Sequence, residues 1–312
     1  MDKAYLWNKL PQTIQSFLQD DKVTEVIVNP DSQIWISHKE KGALSKGVLS
    51  HEKALDFIQA VAQMNNLYLN EDKPYLDCTL PFRGERMNAT IPPVTEGASF
   101  NIRKKSTTIL TLDDYIAGGS LSRKQAAYLT QAIIQRKNIL VSGGPGSGKT
   151  TLTNALLQKM AVVATQGTRV LLLEQVAELE CQVANCKRLL TADKVDLRTL
   201  LWISMRNSPD RIVIGEVRDG AVLDMLKAWN TGCPGGIATI HANSAQSALQ
   251  RVIDLSLEVT TTPPTSLVAE ALDVIVQLEV DRNTANGRRV SGIVEVNGYS
   301  QQKQAFQLEV ME

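Results

Sequence analysis

The chain has 312 residues, 43% of them hydrophobic and 21% charged, which is enough apolar material to fill two modest cores. Lys and Arg total 33 and Asp and Glu total 33, divided as 13 against 13 up to residue 105 and 20 against 20 after it. Neither part carries the net positive charge that stable nucleic-acid binding needs, so we expect no such binding. No apolar run approaches the ~18 residues of a membrane span, and the first residues lack a signal-peptide core. We therefore expect a cytoplasmic protein or one peripheral to a membrane.

Residues 1–105 have the alternating pattern of a small α+β sheet domain. Strand-like runs fall at 23–28, 33–37, 76–80, 85–91 and 99–105. The turn formers at 29–32 separate the first two runs and predict a hairpin. Residues 51–66 carry an apolar stripe at helical spacing, with Ser50 as the expected cap.

The pattern changes after a segment at 106–120 that is rich in Thr, Asp and Gly, which we interpret as a linker with room for one short helix. From Leu121 helices alternate with short apolar strands, as a largely parallel sheet covered on both faces requires. These strands are predicted at 138–141, 169–173, 211–214 and 236–240. The sequence therefore predicts an α/β domain over 121–312 behind the smaller domain.

The C-terminal stretch has a different pattern. Strand-like runs fall at 273–280, 289–296 and 304–310, with Asn-Gly pairs at 286–287 and 297–298. Asn-Gly is the strongest short hairpin signal. We expect an antiparallel meander at one edge of the sheet.

A phosphate loop is the most informative motif in the chain. The segment 143–151, Gly-Gly-Pro-Gly-Ser-Gly-Lys-Thr-Thr, follows an apolar run and precedes helix-like sequence, and it matches the Walker A pattern G-x-x-x-x-G-K-[ST]. Its glycines let the backbone wrap around phosphates, and the following helix turns its positive end towards them. We expect Lys149 to reach the β- and γ-phosphates and Thr150 to ligate Mg²⁺. The residues expected to contact the nucleotide are Gly144, Pro145, Gly146, Ser147, Gly148, Lys149, Thr150 and Thr151.

Polar residues follow the other three parallel strands as well, namely Glu174, Glu216 and His241. Ligands of open α/β sheets bind at the carboxyl ends of the strands, so these residues and the loop are expected to form one site. A lone histidine at a strand end is more often structural, but its place among three other site-forming ends favours a function for His241. Gly215 stands where most P-loop enzymes place a Mg²⁺-binding Asp, so Glu216 is expected to serve the metal or polarise the attacking water.

The order of these motifs resembles the type II/type IV secretion ATPase superfamily, which has a phosphate loop, an acidic box, a glycine before the Walker B glutamate and a histidine box. Within it the chain is most similar to the conjugative-transfer, TrbB-type ATPases and their type IV secretion relatives. The segments 100–105, 112–115 and 227–232 carry that narrower likeness, which spans roughly 23–299.

The resemblance implies a RecA-like ATPase domain behind an N-terminal sheet domain, six identical subunits in a ring, and ATP with Mg²⁺. It implies that Glu174 is the general base, that His241 senses the γ-phosphate, and that Arg86 and Arg103 reach the phosphates from the first domain. The acidic box departs from the family pattern, because Gln175 replaces an acid and Val176 removes a hydroxyl, which puts turnover in question. Arg206 and Arg218 are further candidates for an arginine finger at a subunit interface.

We therefore expect an ATP-hydrolysing hexameric motor of a bacterial type IV secretion or conjugation apparatus. It would dock on inner-membrane components of that apparatus at the cytoplasmic face. Within the superfamily the alternative is a pilus assembly or retraction motor. Two alternatives come from other classes: a DNA-translocating P-loop ATPase, and a nucleotide-gated scaffold that hydrolyses ATP negligibly.

Overall fold

The computed structural model describes residues 3–105, 109–192 and 194–311. The chain divides into two compact units, Met1–Thr107 and Thr108–Glu312. Each unit has its own buried apolar core. None of the helices in the described ranges is long and apolar enough to cross a membrane.

The first unit is built on an antiparallel sheet. Its elements are α1 (Lys3–Lys9), α2 (Gln12–Gln19), β1 (Val23–Val28), β2 (Gln33–His38), β3 (Gly42–Val48), α3 (His51–Met64), β4 (Tyr75–Thr79), β5 (Arg86–Thr90) and β6 (Ser99–Arg103). The strand order is β3-β2-β1-β6-β5-β4. The predicted hairpin forms between β1 and β2, and α3 buries its apolar stripe against the sheet, where the rings of Phe57 and Phe100 lie 5.4 Å apart.

Three elements of this unit have weak sequence signals. Strand β3 is mostly exposed and lacks apolar alternation, so its backbone pairing with β2 holds it in place. The short helices α1 and α2 bury Leu6, Ile14 and Leu18 in the core. Ser50 occupies the N-cap position of α3 as expected, but its side chain makes no capping hydrogen bond. Tertiary contacts therefore decide these elements more than local propensity does.

The second unit is an α/β sheet domain. Its elements are α4 (Leu112–Ala117), α5 (Arg123–Ile134), β7 (Ile139–Gly143), α6 (Lys149–Val163), β8 (Arg169–Glu174), β9 (Asn185–Leu190), α7 (Leu197–Ser204), β10 (Arg211–Ile214), α8 (Ala221–Asn230), β11 (Ile237–Ile240), α9 (Ala245–Ser256), α10 (Thr265–Ala271), β12 (Val274–Val280), β13 (Arg288–Ser300) and β14 (Ala305–Met311). The strand order is β14-β13-β12-β7-β11-β10-β8-β9. The six strands from β12 to β9 run parallel, and β13 and β14 are antiparallel. This confirms the predicted fold class.

Helices cover both faces of this sheet. Residues of α4, α5 and α6 share one apolar cluster with Ile139 and Val141 of β7. Residues of α7 to α10 share another cluster with Leu140, the residue between them. Successive side chains of a strand point to opposite faces, so a strand covered on both faces must be apolar at every position. This accounts for the continuous apolar runs in the sequence.

The segment predicted as a linker divides differently. Its residues 106–108 lie outside the described residues. The remainder contains α4, which Thr111 begins with a reciprocal capping hydrogen-bond pair to Asp114. Leu112 and Tyr115 are buried in the core of the second unit. Most of the predicted linker is thus an integral part of the second unit.

The predicted C-terminal meander needs two corrections. Strand β12 pairs with β7 in parallel as well as with β13 in antiparallel orientation, so it is an interior strand. The pair Asn297-Gly298 does not end a strand, because β13 continues through it to Ser300. The register shifts between Val296 and Tyr299, and Gly298 has a φ of 126°. Asn-Gly here marks a β-bulge, which also favours glycine at positive φ.

A charged cluster joins the end of α5 to β13 and yields a prediction about stability. Lys137 and Tyr128 both donate hydrogen bonds to Oε1 of Glu295, and these bonds, Lys137 first, lower the pKa of Glu295 below its ordinary value. A carboxyl group with a lowered folded-state pKa stabilises the fold above its unfolded-state pKa and loses that contribution as the pH falls through the folded value.

We expect Glu295→Gln to lower the free energy of unfolding at pH 7 by about 1–3 kcal/mol. The difference from the parent protein should shrink below about pH 4, where the unfolded-state carboxyl group also takes up protons. Thermal unfolding followed by circular dichroism from pH 7 to pH 3 measures this. Glu258→Gln, an exposed position just after α9 in the same unit, is the matched control and should have little effect. A gap that stays constant across this pH range would contradict the assignment.

Candidate nucleotide-binding site

The phosphate loop has the backbone geometry that its sequence predicts. It joins β7 to α6, and Gly146 and Gly148 have φ values of 71° and 93°, which only glycine adopts without strain. Gly143 is needed for a different reason, because a Cβ there would lie 2.3 Å from Ser147 Oγ and 2.8 Å from the carbonyl oxygen of Leu278. The loop is therefore closely packed against β12, with its end at the N-terminus of α6.

Lys149 is nearly buried, with 8% of its surface exposed. Its Nζ donates to the carbonyl oxygens of Gly143 at 3.0 Å and Gly144 at 3.3 Å, and it lies 3.1 Å from Nδ1 of His241. An ammonium group can only donate, so Nδ1 of His241 is the acceptor and the ring proton is on Nε2. Burial lowers the pKa of His241, and the Glu216 carboxylate opposes this only in part, which agrees with a neutral ring.

The strand order explains why these side chains meet. Strand β11 lies between β7, which leads into the loop, and β10, which leads to Glu216. His241 follows β11 directly and is therefore placed between Lys149 and Glu216. Its Nε2 lies 2.6 Å from Oε1 of Glu216. The structure thus brings together the loop lysine and two of the three residues predicted at strand ends, His241 and Glu216.

The two oxygens of Glu216 differ. Oε2 accepts a hydrogen bond from Nη2 of Arg218. Oε1 is buried and lies 2.6 Å from Nε2 of His241, yet it accepts no hydrogen bond of regular geometry from the described residues. A buried carboxylate oxygen without a donor is costly unless a further group binds it. Oε1 therefore fits a metal ligand or an acceptor for bound water.

Glu174 ends β8 as predicted and has a hydrogen-bond partner on each carboxylate oxygen. Oε1 of Glu174 accepts hydrogen bonds from the backbone N–H groups of Glu178 at 2.8 Å and Leu179 at 2.7 Å. Oε2 accepts from Nε of Arg188 at 2.9 Å, and Arg188 Nη2 also donates to the carbonyl oxygen of Leu179. Only 3% of Glu174 is exposed, and burial raises the pKa of its carboxyl group. Its contacts hold the acidic loop to β9 and engage both carboxylate oxygens, and its role as general base stays a prediction.

The glycine before Glu216 has a packing reason. A Cβ at Gly215 would lie 3.1 Å from Cγ of Glu174. The carbonyl oxygen of Gly215 also accepts a hydrogen bond of 2.6 Å from Thr239 Oγ1. The aspartate common at this position in other P-loop proteins would press a second carboxylate against the buried one. The buried position of the Glu174 side chain therefore favours a residue without a side chain at 215.

Glu178 is the acidic-box residue that reaches the phosphate loop. Its Oε2 lies 3.5 Å from Oγ1 of Thr150, the predicted Mg²⁺ ligand, and it is half-buried. Sequence reasoning selected Glu174, the first glutamate of the box, and missed Glu178 four residues later. Both glutamates are visible in the sequence of the acidic box. Nothing in the neighbouring sequence shows that Glu174 anchors the loop and that Glu178 faces Thr150.

The remaining predicted residues lie in several places. Gln175 is exposed, and its Oε1 accepts a 3.4 Å hydrogen bond from Arg218, so this amide contacts the cation that pairs with Glu216. Arg206 stacks on the ring of Trp202 at 3.7 Å. Arg86 and Arg103 are in the first unit, on neighbouring strands. Their predicted contact with phosphates stays a prediction.

The geometry of the second unit defines a class of protein. A phosphate loop lies between a buried parallel strand and a helix, and polar strand ends stand beside it in the order β7-β11-β10. This is the arrangement of a RecA-like P-loop protein. The particular family is that of the type II/IV secretion system proteins, to which the chain belongs, because the family model matches residues 9–307.

Individual relatives narrow the comparison. The chain is 39% identical to the conjugal transfer protein TrbB of Rhizobium radiobacter over 282 residues, which cover 90% of this chain and 86% of that protein. It is 41% identical to a probable conjugal transfer protein TrbB of Sinorhizobium fredii over 283 residues, covering 91% and 86%. Among solved structures, the VirB11 ATPase of the Brucella suis type IV secretion system, in complex with sulphate, is similar with 26% identity and a TM-score of 0.50, covering 93% of this chain and 94% of that one. The resemblance inferred from the motifs is confirmed.

The two glutamates of the acidic box should respond differently to the same substitution. Glu174→Gln places a buried amide N–H₂ group against the Arg188 guanidinium or a backbone N–H donor, so we expect it to lower the free energy of unfolding by about 1.5–3 kcal/mol. Glu178→Gln keeps shape and half-exposed surroundings, so we expect unchanged stability and a turnover number lower by about 10²- to 10⁴-fold. Chemical denaturation and a steady-state ATPase assay measure both. If Glu178→Gln turns over ATP normally while a stably folded Glu174→Gln is inactive, Glu174 is the base.

Proposed function

We propose that the protein is a Mg²⁺-dependent ATPase whose six identical subunits form a ring that drives a type IV secretion or conjugation apparatus. The observation that carries this proposal is that His241 contacts both Lys149 and Glu216 beside the phosphate loop, one with each ring nitrogen. The high identity to conjugal transfer proteins over 90% of the chain supports conjugation or secretion over a pilus motor.

The contacts of Lys149 indicate how the site would respond to nucleotide. The ammonium group is held by two loop carbonyls and by His241. A β- or γ-phosphate oxygen is a stronger partner than a neutral ring nitrogen, because the hydrogen bond is then charged on both sides. Lys149 would turn to the phosphates and release Nδ1 of His241. The histidine, which also faces Glu216, would thereby report the phosphate state to the catalytic carboxylates.

The residues present fit a magnesium ion that enters with the nucleotide. Mg²⁺ prefers oxygen ligands and usually takes one or two carboxylates together with substrate phosphates and water. The oxygens that would hold it are the hydroxyl group of Thr150 and Oε1 of Glu216, which accepts no hydrogen bond from the part of the chain that the structure describes. When bound, the ion neutralises the charge that develops on the β- and γ-phosphate oxygens.

Glu178 is the residue that we assign to the attacking water. It is the acidic-box carboxylate in contact with Thr150, while Glu174 holds the loop that carries it. A general base must lie within hydrogen-bond reach of the proton that it takes. Glu178 would accept that proton, and Glu174 would act only by positioning the loop.

Two arginines of the first unit form the second half of the proposed nucleotide contacts. Arg86 on β5 and Arg103 on β6 are direct cross-strand neighbours, and Arg103 is exposed. Like charges directly opposite each other on a sheet repel, which a bound anion would relieve. Glu25 lies opposite Arg103 on its other side and Asp77 lies 3.8 Å from Arg86, so the repulsion is partly balanced already. We propose that both arginines meet phosphates in the assembled ring.

The proposed ring would work at the cytoplasmic face of the inner membrane, attached to membrane components of the apparatus. The balanced charge of the chain supports docking to proteins rather than stable direct binding to DNA. A DNA-translocating ATPase would instead show turnover stimulated by DNA and steeply lowered by salt. An ATPase assay with and without single- and double-stranded DNA therefore separates the two functions.

Lys149→Ala tests catalysis at the loop. We expect the far-UV circular dichroism spectrum to be unchanged and the ATPase rate to fall below a tenth of the parent rate, because losing a transition-state contact costs at least a few kcal/mol and each ~1.4 kcal/mol is tenfold. Lys159→Ala, on the same helix about 15 Å further along, is the matched control. A Lys149→Ala protein that retains more than a tenth of the rate would sink the assignment.

Arg103→Ala tests the ring and the contribution of the first unit. We expect the parent protein with Mg²⁺-ATP to form a six-subunit particle by native mass spectrometry. Arg103→Ala should weaken nucleotide affinity or turnover by about 1.5–3 kcal/mol, the usual worth of a charged hydrogen bond. Lys46→Ala, an exposed position on β3 of the same sheet, should leave both unchanged. If the parent protein is a monomer at micromolar concentration with Mg²⁺-ATP, the proposed ring is wrong. If Arg103→Ala leaves both nucleotide affinity and turnover unchanged, Arg103 does not contact the nucleotide.

A further inference from the structure

A second cation lies beside the phosphate loop, on the side away from His241. Arg288 is the first residue of β13, and its Cδ comes within 2.6 Å of where a Cβ on Gly148 would be. Its Nη1 lies 3.5 Å from Oγ1 of Thr151, in the first turn of α6. The guanidinium therefore covers the point where the loop becomes the helix.

The backbone that carries Arg288 is held in place. The N–H group of Arg288 donates to Oγ1 of Thr284 at 2.9 Å, and that hydroxyl donates to the carbonyl oxygen of Arg288 at 2.8 Å. The same turn is tied to the segment after α4, because the N–H group of Ala285 donates to the carbonyl oxygen of Gly118 at 3.1 Å. Arg288 thus projects from a constrained hairpin end, which lowers the entropy cost of using it as a ligand.

The charge of Arg288 has no counterion within the described ranges. Its neighbour Arg289 pairs with Glu279 and lies 3.6 Å from Asp281, whereas no described carboxylate lies within 4 Å of the Arg288 guanidinium. Arg288 is half-buried and stands next to the N-terminus of α6, which itself carries partial positive charge. An unpaired cation beside a positive helix end is unfavourable until an anion joins them. The arrangement fits a phosphate better than a structural ion pair.

The sheet order indicates which phosphate this is. Strands β11 and β10 bring His241 and Glu216 to one side of β7, and strands β12 and β13 bring Arg288 to the other side. Lys149 and Thr150 are expected at the β- and γ-phosphates, so the γ end of a bound nucleotide points to His241. Thr151 is the next residue of the helix, on the side of Arg288. The part of the nucleotide that leaves the loop towards Arg288 is the α-phosphate.

We propose that Arg288 binds the α-phosphate of the nucleotide and is a binding residue common to the ATP and ADP states. This inference rests on the proposed function, because it takes the ligand of the loop to be a nucleotide. A contact with the α-phosphate is made equally in the ground state and in the transition state. Arg288 therefore sets affinity and leaves the chemical step alone.

The test is calorimetric titration of the full chain with ADP in Mg²⁺, together with steady-state ATPase kinetics. Arg288→Ala should raise the dissociation constant for ADP and the KM for ATP by the same factor, about 10- to 100-fold, with kcat within about threefold of the parent value. Arg289→Ala is the matched control, since its side chain points to the opposite face of the strand and pairs there with acids. Arg288→Lys, which keeps the charge without the planar fork, should recover part of the affinity.

Inorganic tripolyphosphate separates a phosphate contact from a nucleoside contact. If Arg288 binds phosphate, Arg288→Ala should weaken tripolyphosphate binding as well. An effect on ADP alone would overturn the α-phosphate assignment. Should Arg288→Ala be unstable, Arg288→Gln and Arg288→Lys, with unfolding temperatures matched to the parent protein, give the same comparison.

Two further outcomes distinguish this inference from the function that it rests on. If the parent protein binds ADP and Lys149→Ala abolishes turnover, but Arg288→Ala binds ADP as Arg289→Ala does, only the role of Arg288 is wrong. If the parent protein neither binds ADP nor hydrolyses ATP, the proposed function fails and the inference fails with it.

Discussion

The second unit is organised around a nearly buried ammonium group. Lys149 has 8% of its surface exposed. A cation that is removed from water needs hydrogen-bond acceptors close to it. Two loop carbonyls and Nδ1 of His241 supply them. Those partners exist only because β11 lies next to β7 and ends at the same level, and because glycine at 143 lets the loop close over the helix end. The strand order, the conformation of the loop and the position of His241 together supply the hydrogen-bond acceptors of this one ammonium group.

The acidic loop shows a second division of labour, between a carboxylate that builds the site and one that faces it. Glu174 is engaged by two backbone N–H groups and by Arg188, and it fills space that the absence of a side chain at Gly215 leaves open. Glu178 is carried on the loop that Glu174 anchors and contacts Thr150. Burial raises the pKa of the anchoring carboxyl group, and its three donors oppose that rise. A substitution at Glu174 would thus reach the proposed chemistry indirectly, through loop position.

Charged residues on the two sides of the phosphate loop have separable tasks in this scheme. His241 and Glu216 lie on the side of β11 and β10, where the proposed mechanism places the γ-phosphate that hydrolysis removes. Arg288 lies on the side of β13, and its proposed contact with the α-phosphate would be the same before and after hydrolysis. A motor needs the nucleotide to stay bound while its terminal phosphate changes. Separate cations for holding and for sensing meet that need.

The sequence alone determined the features that depend on neighbouring residues. The phosphate loop, the buried parallel strands, the β1–β2 hairpin and the family could be predicted, because each is a local pattern of glycine placement, apolar runs or motif order. Only the tertiary structure decided the rest. Strands β3 and β9 have mostly exposed side chains and are held by pairing with neighbouring strands. Asn297-Gly298 forms a bulge because β13 pairs with β14 both before and after these two residues. Glu174 and Glu178 are chemically identical, and only the donors that the fold places around each carboxylate separate anchor from site. Arg288 likewise looks the same as Arg289 in the sequence, and the pleat of the strand gives one to the phosphate loop and the other to surface acids.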